Sequence, residues 1–212
     1  RRFPDLNFAF LEGGVGWAAQ LYNDLFEHWE KRNYDFMVEN LDPAKLDEDL
    51  IREMADKYGG GILNGDALLD ERKRSTMGGF VSSDVELDEF RRCEITKKED
   101  IRDLFVDPFY FGCEADDAMN AVAFNTKINH FGAKLKAFFG SDIGHWDVED
   151  MRHCVPDAYK NVAKGLFTED DFRDFMYTNP VELYTRQNPD FFKGTVIEDE
   201  VSKTLSGTAK AA

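Results

Sequence analysis

Three short apolar runs, at 6–11, 109–113 and 135–139, constrain the fold more than any other feature of this chain. Each is too short for a buried helix and is dominated by Leu, Phe, Tyr or Ala, so each predicts a strand. Helical spacing follows each one. After the first, Trp17, Leu21, Leu25 and Trp29 make an i+4 row with Ala18, Tyr22 and Phe26 beside it. That row predicts an amphipathic helix packed on a sheet, with Lys31 and Arg32 suiting its negative end. Ala118, Met119, Val122 and Ala123 follow the second run, and helical pieces over about 157–164 and 169–177 follow the third. Strands alternating with helices predict parallel pairing through right-handed crossovers. Runs that stay apolar along their length predict strands buried on both faces.

The segment 33–95 interrupts this alternation without offering a strand. Asp42-Pro43 predicts an N-cap followed by proline at the first helical position. Leu46, Leu50, Ile51, Met54, Ala55 and Tyr58 then keep helical spacing until Gly59-Gly60-Gly61. From there to about residue 92 the composition is that of a long loop, which either covers the mouth of a site or is a peripheral insertion. Thr96 and Glu99 have capping-box spacing and predict a short helix through Phe105. Thr168 with Asp171 predicts a later helix start, Asn179-Pro180 a break, and 198–212 a flexible tail.

All three runs end in acids: Glu12, then Glu114 with Asp116, then Asp142. In a parallel sheet these share the carboxyl edge, where barrels and doubly wound sheets carry their ligands. The third run leads into Gly140-Ser141-Asp142-Ile143-Gly144-His145-Trp146-Asp147. Two readings of that turn are open: Asp142 bonds its own backbone as a capped turn, or it offers a carboxylate at a site. Glu12 has the same two readings, as a cap on the Gly13 and Gly14 amides or as a site residue. For Trp17, packing in the core is the stronger reading.

Composition excludes several functions. The net charge of -16, from 42 acidic against 26 basic residues, repels phosphate backbones and argues against nucleic acid as partner. No apolar run approaches the roughly 18 residues of a spanning helix, so a membrane partner is not expected. Cys93, Cys113 and Cys154 are odd in number and far apart. That pattern argues against a disulfide framework or cysteine zinc site and for a reducing, cytoplasmic setting. There is no P-loop, G-x-G-x-x-G or G-x-S-x-G.

Ser141-Asp142-x-x-His145 after a Phe-rich strand and Gly140 resembles the last barrel strand of the amidohydrolase-related family of metal-dependent TIM-barrel enzymes, which includes aminocarboxymuconate semialdehyde decarboxylase. Phe3-Pro4-x-Leu6 through Glu12-Gly13-Gly14 is similar to its sixth strand and Tyr110 to Asp117 to its seventh. Phe172 through Phe192, with Asn179-Pro180 and Asn188, resembles its closing helix. The resemblance implies an α/β fold: about the last three βα units of a (β/α)8 barrel over 1–197, with the excursion at 33–95. It implies a metal-dependent hydrolase acting through a metal-bound water, with Asp142 as metal ligand and base. Glu12 and His145 are the other candidate catalytic residues. The metal is a divalent ion, Zn with Mn or a similar ion as alternatives, and the substrate is a small molecule.

Two departures bear on this. Glu12 stands where many members have histidine, and the family's first-strand His-x-His or Glu-x-His pair is missing, as is its fifth-strand histidine. The resemblance therefore implies a carboxyl-terminal part of a longer enzyme, inactive alone, with most metal ligands outside this chain. Non-oxidative decarboxylation of a small carboxylic acid is the alternative reaction, and a non-catalytic binding protein the alternative class. A first strand with an open edge is expected to pair or aggregate, so a homo-oligomer is admitted.

Overall fold

A computed structural model describes residues 3, 5–42, 45–74 and 87–208, with the side chains of 71–74 and 208 left out. The expected helix start at Pro43 and the 75–86 part of the expected loop lie outside the described residues. Three strands, β1 (Phe8–Phe10), β2 (Phe109–Glu114) and β3 (Lys136–Gly140), form one sheet in the order β1-β2-β3. Both pairings are parallel, with Phe10 opposite Phe111 and Phe111 opposite Ala137. The α-helices of five residues or more among the described residues are α1 (Gly16–Arg32), α2 (Glu48–Tyr58), α3 (Gly65–Arg74), α4 (Lys98–Val106), α5 (Cys154–Ala163), α6 (Glu169–Arg173), α7 (Asn179–Gln187) and α8 (Glu198–Thr208). The architecture is mixed α/β on a small parallel sheet. No described helix is long and apolar enough to cross a membrane.

The chain divides into two units, Arg1–Leu25 with Glu99–Ala212, and Phe26–Lys98. The first holds the sheet. Its core on one sheet face is aromatic: Phe105 of α4 stands edge-on to Phe109 at 5.7 Å and stacks on Phe111 at 6.3 Å. Tyr22 of α1 packs on Phe105 at 5.3 Å, and its hydroxyl donates to the His130 carbonyl at 2.9 Å. Burial pushes the Tyr22 phenol up to about 12, so it stays a donor. Phe175 closes the β3 side against Phe139, Phe124 and Phe167. Each such ring removed from water contributes about 1.5–3 kcal/mol.

Ala18, Tyr22 and Phe26 of the expected stripe are buried, but the Trp17 row is not its centre. Val15, Ala18, Ala19 and Tyr22 are buried, while Trp17 and Leu21 are 43 % and 44 % exposed. Helical spacing identifies rows of neighbours but not which row is central. Here the two alanines let the helix sit close, and Trp17 moves to the flank, edge-on to Phe10 at 5.4 Å and Phe111 at 5.7 Å. The expectation that all strands are buried on both faces is also corrected. Phe8 and Phe10 are 44 % and 40 % exposed, because β1 is an edge strand.

Polar groups pin β3 and the start of β2. Lys136 Nζ donates to Glu182 at 2.8 Å and to the Asp107 carbonyl at 2.9 Å. Arg186 holds both Asp107 carboxylate oxygens at 2.9 and 3.1 Å and donates to the Tyr110 hydroxyl at 3.4 Å. The Asn179 amide donates to the Ala137 carbonyl at 2.7 Å. Asn179-Pro180 does not break the chain's helical path. A π-helical turn at Asp174–Thr178 leads straight from α6 into α7, and Pro180 falls in the first turn of α7, where no amide is needed. Thr168 and Asp171 form the expected capping box. The 198–208 part of the expected tail is instead helical as α8, held by buried Val201 and by the 3.0 Å bond between the Tyr177 and Thr204 hydroxyls, and the rest lies outside the described residues.

In the second unit the N-cap of α2 is Asp47, accepting from the Leu50 amide at 2.9 Å, and not Asp42. The expected loop contains α3, tied to α2 through Arg52, which donates to Asp66 at 2.8 Å and Glu48 at 3.2 Å. His28 and Arg32 both meet Glu89, at 2.7 and 3.2 Å.

Two outcomes follow. The Arg186 guanidinium holds the Asp107 carboxyl below its ordinary value of 3.8. A depressed carboxylate stabilises the fold above its unfolded value and loses that contribution as pH falls through the folded one. Arg186→Met is therefore expected to lose about 1 kcal/mol near neutral pH, an amount limited by the pair's exposure. In urea titrations the difference from the parent should shrink below pH 3.8. The apolar edge of β1, which pairs with no further strand among the described residues, predicts concentration-dependent self-association in sedimentation velocity, relieved by Phe8→Lys with Phe10→Lys. A parent chain sedimenting as a concentration-independent monomer would contradict this.

Candidate metal centre

Parallel pairing delivers the ends of β1 and β3 to the same edge of the sheet, on either side of β2. Glu12 lies two residues beyond β1, and Asp142 two beyond β3. Both have left-handed backbones, with φ of 60° and 48°. For residues with a Cβ that region is strained, less so for Asp than for Glu. Gly14, at φ 61°, completes the first turn at no such cost. Strain of this kind concentrates at functional sites because it is held only where the surroundings dictate it.

The two turns bring the three candidate residues together. One ligand atom each from Glu12, Asp142 and His145 lies within 4.8 Å of the others. A backbone bond fixes the last of them: the His145 amide donates to the Asp142 carbonyl at 2.9 Å, and His145 Nδ1 stands 3.8 Å from Asp142 Oδ2. The capping alternatives are not realised. No described backbone amide donates to either the Glu12 or the Asp142 carboxylate, and it is the Ser141 hydroxyl that accepts from the Ile143 amide, at 3.4 Å. Asp142 is half-buried, and Glu12 and His145 are exposed.

The donor set fits a divalent cation. Two carboxylates and an imidazole suit Zn, Mn or Fe, and three protein ligands leave positions for water and substrate. Cys113 lines the same mouth, but its buried thiol donates to the Phe111 carbonyl at 3.3 Å. The mouth itself is a depression of about 160 Å³ between Leu11, Glu12, Gly112, Phe138 and Asp142.

A larger cleft of about 340 Å³ adjoins it, sharing Glu114, Gly140 and Asp142. Its wall adds Asp116, Asp147, Glu149, Asp150 and Asp157, with His153 and no lysine or arginine. Arg152 grips Asp150 at 2.6 Å and pulls its carboxyl down to about 2. Lys160 meets Asp157 at 2.5 Å. Glu114, Asp116, Asp147 and Glu149 make no ion pair among the described residues. Behind this wall Asn120 donates to the Glu114 carbonyl at 2.7 Å and Asn161 to that of Asp117 at 3.4 Å. Both amide oxygens are buried without a donor, so the turn is held at a polar cost.

Elsewhere, Asp117 caps the 3-10 segment Ala118–Phe124 through the Met119 amide, and His130 contributes its carbonyl to Tyr22. Sequence reasoning missed the cleft role of His153, Glu149 and Asp150. Their signal was the acidic run following Trp146, which has no periodicity to place it. No family model matches the chain, and no curated protein or solved structure matches it either.

Strain at the two carboxylates gives a test. Glu12→Gly is expected to raise the stability of the metal-free protein by about 0.5–1 kcal/mol, since glycine adopts the left-handed region freely but is more disordered when unfolded. Asp142→Gly should gain less. Urea denaturation with chelator present measures both.

Proposed function

We propose that this chain carries part of the metal centre of a hydrolase resembling the amidohydrolase-related family, its sheet forming part of a (β/α)8 barrel. The observation that carries the reading is the convergence of Glu12, Asp142 and His145 within 4.8 Å at the carboxyl edge of a parallel sheet. Glu12 and Asp142 would hold a divalent cation, Zn or Mn, with His145 as third ligand or neighbour. Such a cation supplies Lewis acidity, polarising a carbonyl and easing proton loss from water. Asp142 offers two oxygens, so one can accept a proton while the other binds. If His145 is the neighbour and not a ligand, it would exchange that proton with the leaving group or solvent.

The cleft favours hydrolysis over decarboxylation. Glu114, Asp147 and Glu149 face it without an ion-pair partner among the described residues, and no lysine or arginine lines it. A carboxylic acid substrate would meet like charge there, whereas a neutral or cationic small molecule would not. Its volume is of small-molecule size.

Titration of the purified chain with Zn2+ tests the centre. Near-stoichiometric binding is expected, weakened by more than about tenfold in Asp142→Asn and Glu12→Gln. If the parent binds no Zn2+ or Mn2+, or binds equally well after both changes, the metal reading fails and a non-catalytic surface takes its place. In the intact enzyme, hydrolysis of neutral or amine-bearing amides and esters with no carbon dioxide released separates hydrolase from lyase.

A further inference from the structure

The ligands of the proposed centre come from strands that are not neighbours. Adjacent strands lie about 4.8 Å apart, so the ends of β1 and β3 begin roughly 10 Å apart with β2 between them. Yet the ligand atoms of Glu12, Asp142 and His145 meet within 4.8 Å. The left-handed turns at Glu12 and Asp142 supply part of that approach. Side-chain reach supplies more of it, and how closely the chain leaving β1 settles onto β2 sets where the Glu12 carboxylate starts.

That chain settles on Gly112. A methyl group at position 112 would lie 3.1 Å from Leu11 Cδ2, 3.3 Å from Leu11 Cα and 3.4 Å from Phe138 Cζ. The first and last contacts are to side chains that can rotate. The middle one is to backbone, in the residue bonded directly to Glu12, and it can be relieved only by moving the chain. Gly112 also forms the floor of the mouth, between Leu11, Glu12 and Asp142. An apolar β2 gains nothing from glycine in its middle, since glycine weakens a strand and marks places where another backbone comes close.

We infer that Gly112 is a positioning residue for the centre, setting the span between Glu12 and the Asp142–His145 pair. This rests on the metal reading above. A side chain at 112 lifts Leu11 and carries the Glu12 carboxylate away from its partners while leaving all three ligands present. A merely structural glycine would affect melting and leave the metal affinity of the folded fraction unchanged.

The test is calorimetric titration of the 212-residue chain with Zn2+, with Co2+ absorption reporting the coordination. Gly112→Ala is expected to weaken Zn2+ binding by about 10- to 100-fold, the range found when a ligand's supporting shell is disturbed, and to alter the Co2+ spectrum. Val201→Ala, a core truncation in α8, serves as the destabilised control and should bind as the parent does. Should Gly112→Ala not fold, Leu11→Ala with Gly112→Ala removes the nearest side-chain contact and keeps the backbone one, so the same loss is expected. Parent-like affinity and spectrum in the folded glycine variant would overturn the inference while leaving the metal reading intact. Absence of binding in the parent would remove both.

Discussion

Parallel pairing of β2 with a strand on each side is the interaction on which the other features depend. It buries Tyr110 and Phe111 at the centre of the sheet and sends every strand's carboxyl end the same way. The two ends of the sheet then divide the labour. At the amino end, Asp107, Tyr110, Lys136, Glu182 and Arg186 are mutually paired, so opposite charges are neutralised and the end is pinned. At the carboxyl end, carboxylates accumulate with few cations to match them. An end built only for stability would resemble the first.

The carboxyl end also concentrates structural expense. Glu12 and Asp142 are two of the four non-glycine residues with positive φ among those described. Asn120 and Asn161 leave amide oxygens buried without donors behind the Glu114–Asp117 turn. Unpaired charge, left-handed backbone and orphaned acceptors each oppose folding, and here they fall within a few residues of one cleft. Placing them together is intelligible if that edge serves a ligand and the aromatic core around Phe105, Phe111 and Phe175 supplies the stability to hold it.

How much of this was legible depended on whether the signal was local. The three strands, the Thr168 capping box and the shared acidic edge were readable, because each rests on residues adjacent in sequence or on the parity of a short apolar run. The central stripe of α1 was not: Trp17 and Leu21 keep perfect helical spacing, yet two small alanines one position on decide which row approaches the sheet. The Asn179-Pro180 pair reads as a break because proline lacks an amide, and a π turn before it removes the need for one. The α8 helix was hidden by a Ser-Gly-Thr ending that overshadowed Val201, whose burial no local pattern announces.

Glu12, Asp142 and His145 show the same division. Strand endings and turn residues in the sequence determined that these groups stand at strand termini on one edge, since parallel order follows from alternation and a strand's direction is carried by its own chain. That two carboxylates separated by an entire strand come within ligand distance was decided only by the tertiary structure. It needs left-handed turns at both, an imidazole folded back by its own backbone bond, and a glycine across the sheet that lets one chain lie on another. The turns and the backbone bond are local, but the meeting of Glu12 with Asp142 is a close approach between residues far apart in sequence, and close approach is set by packing.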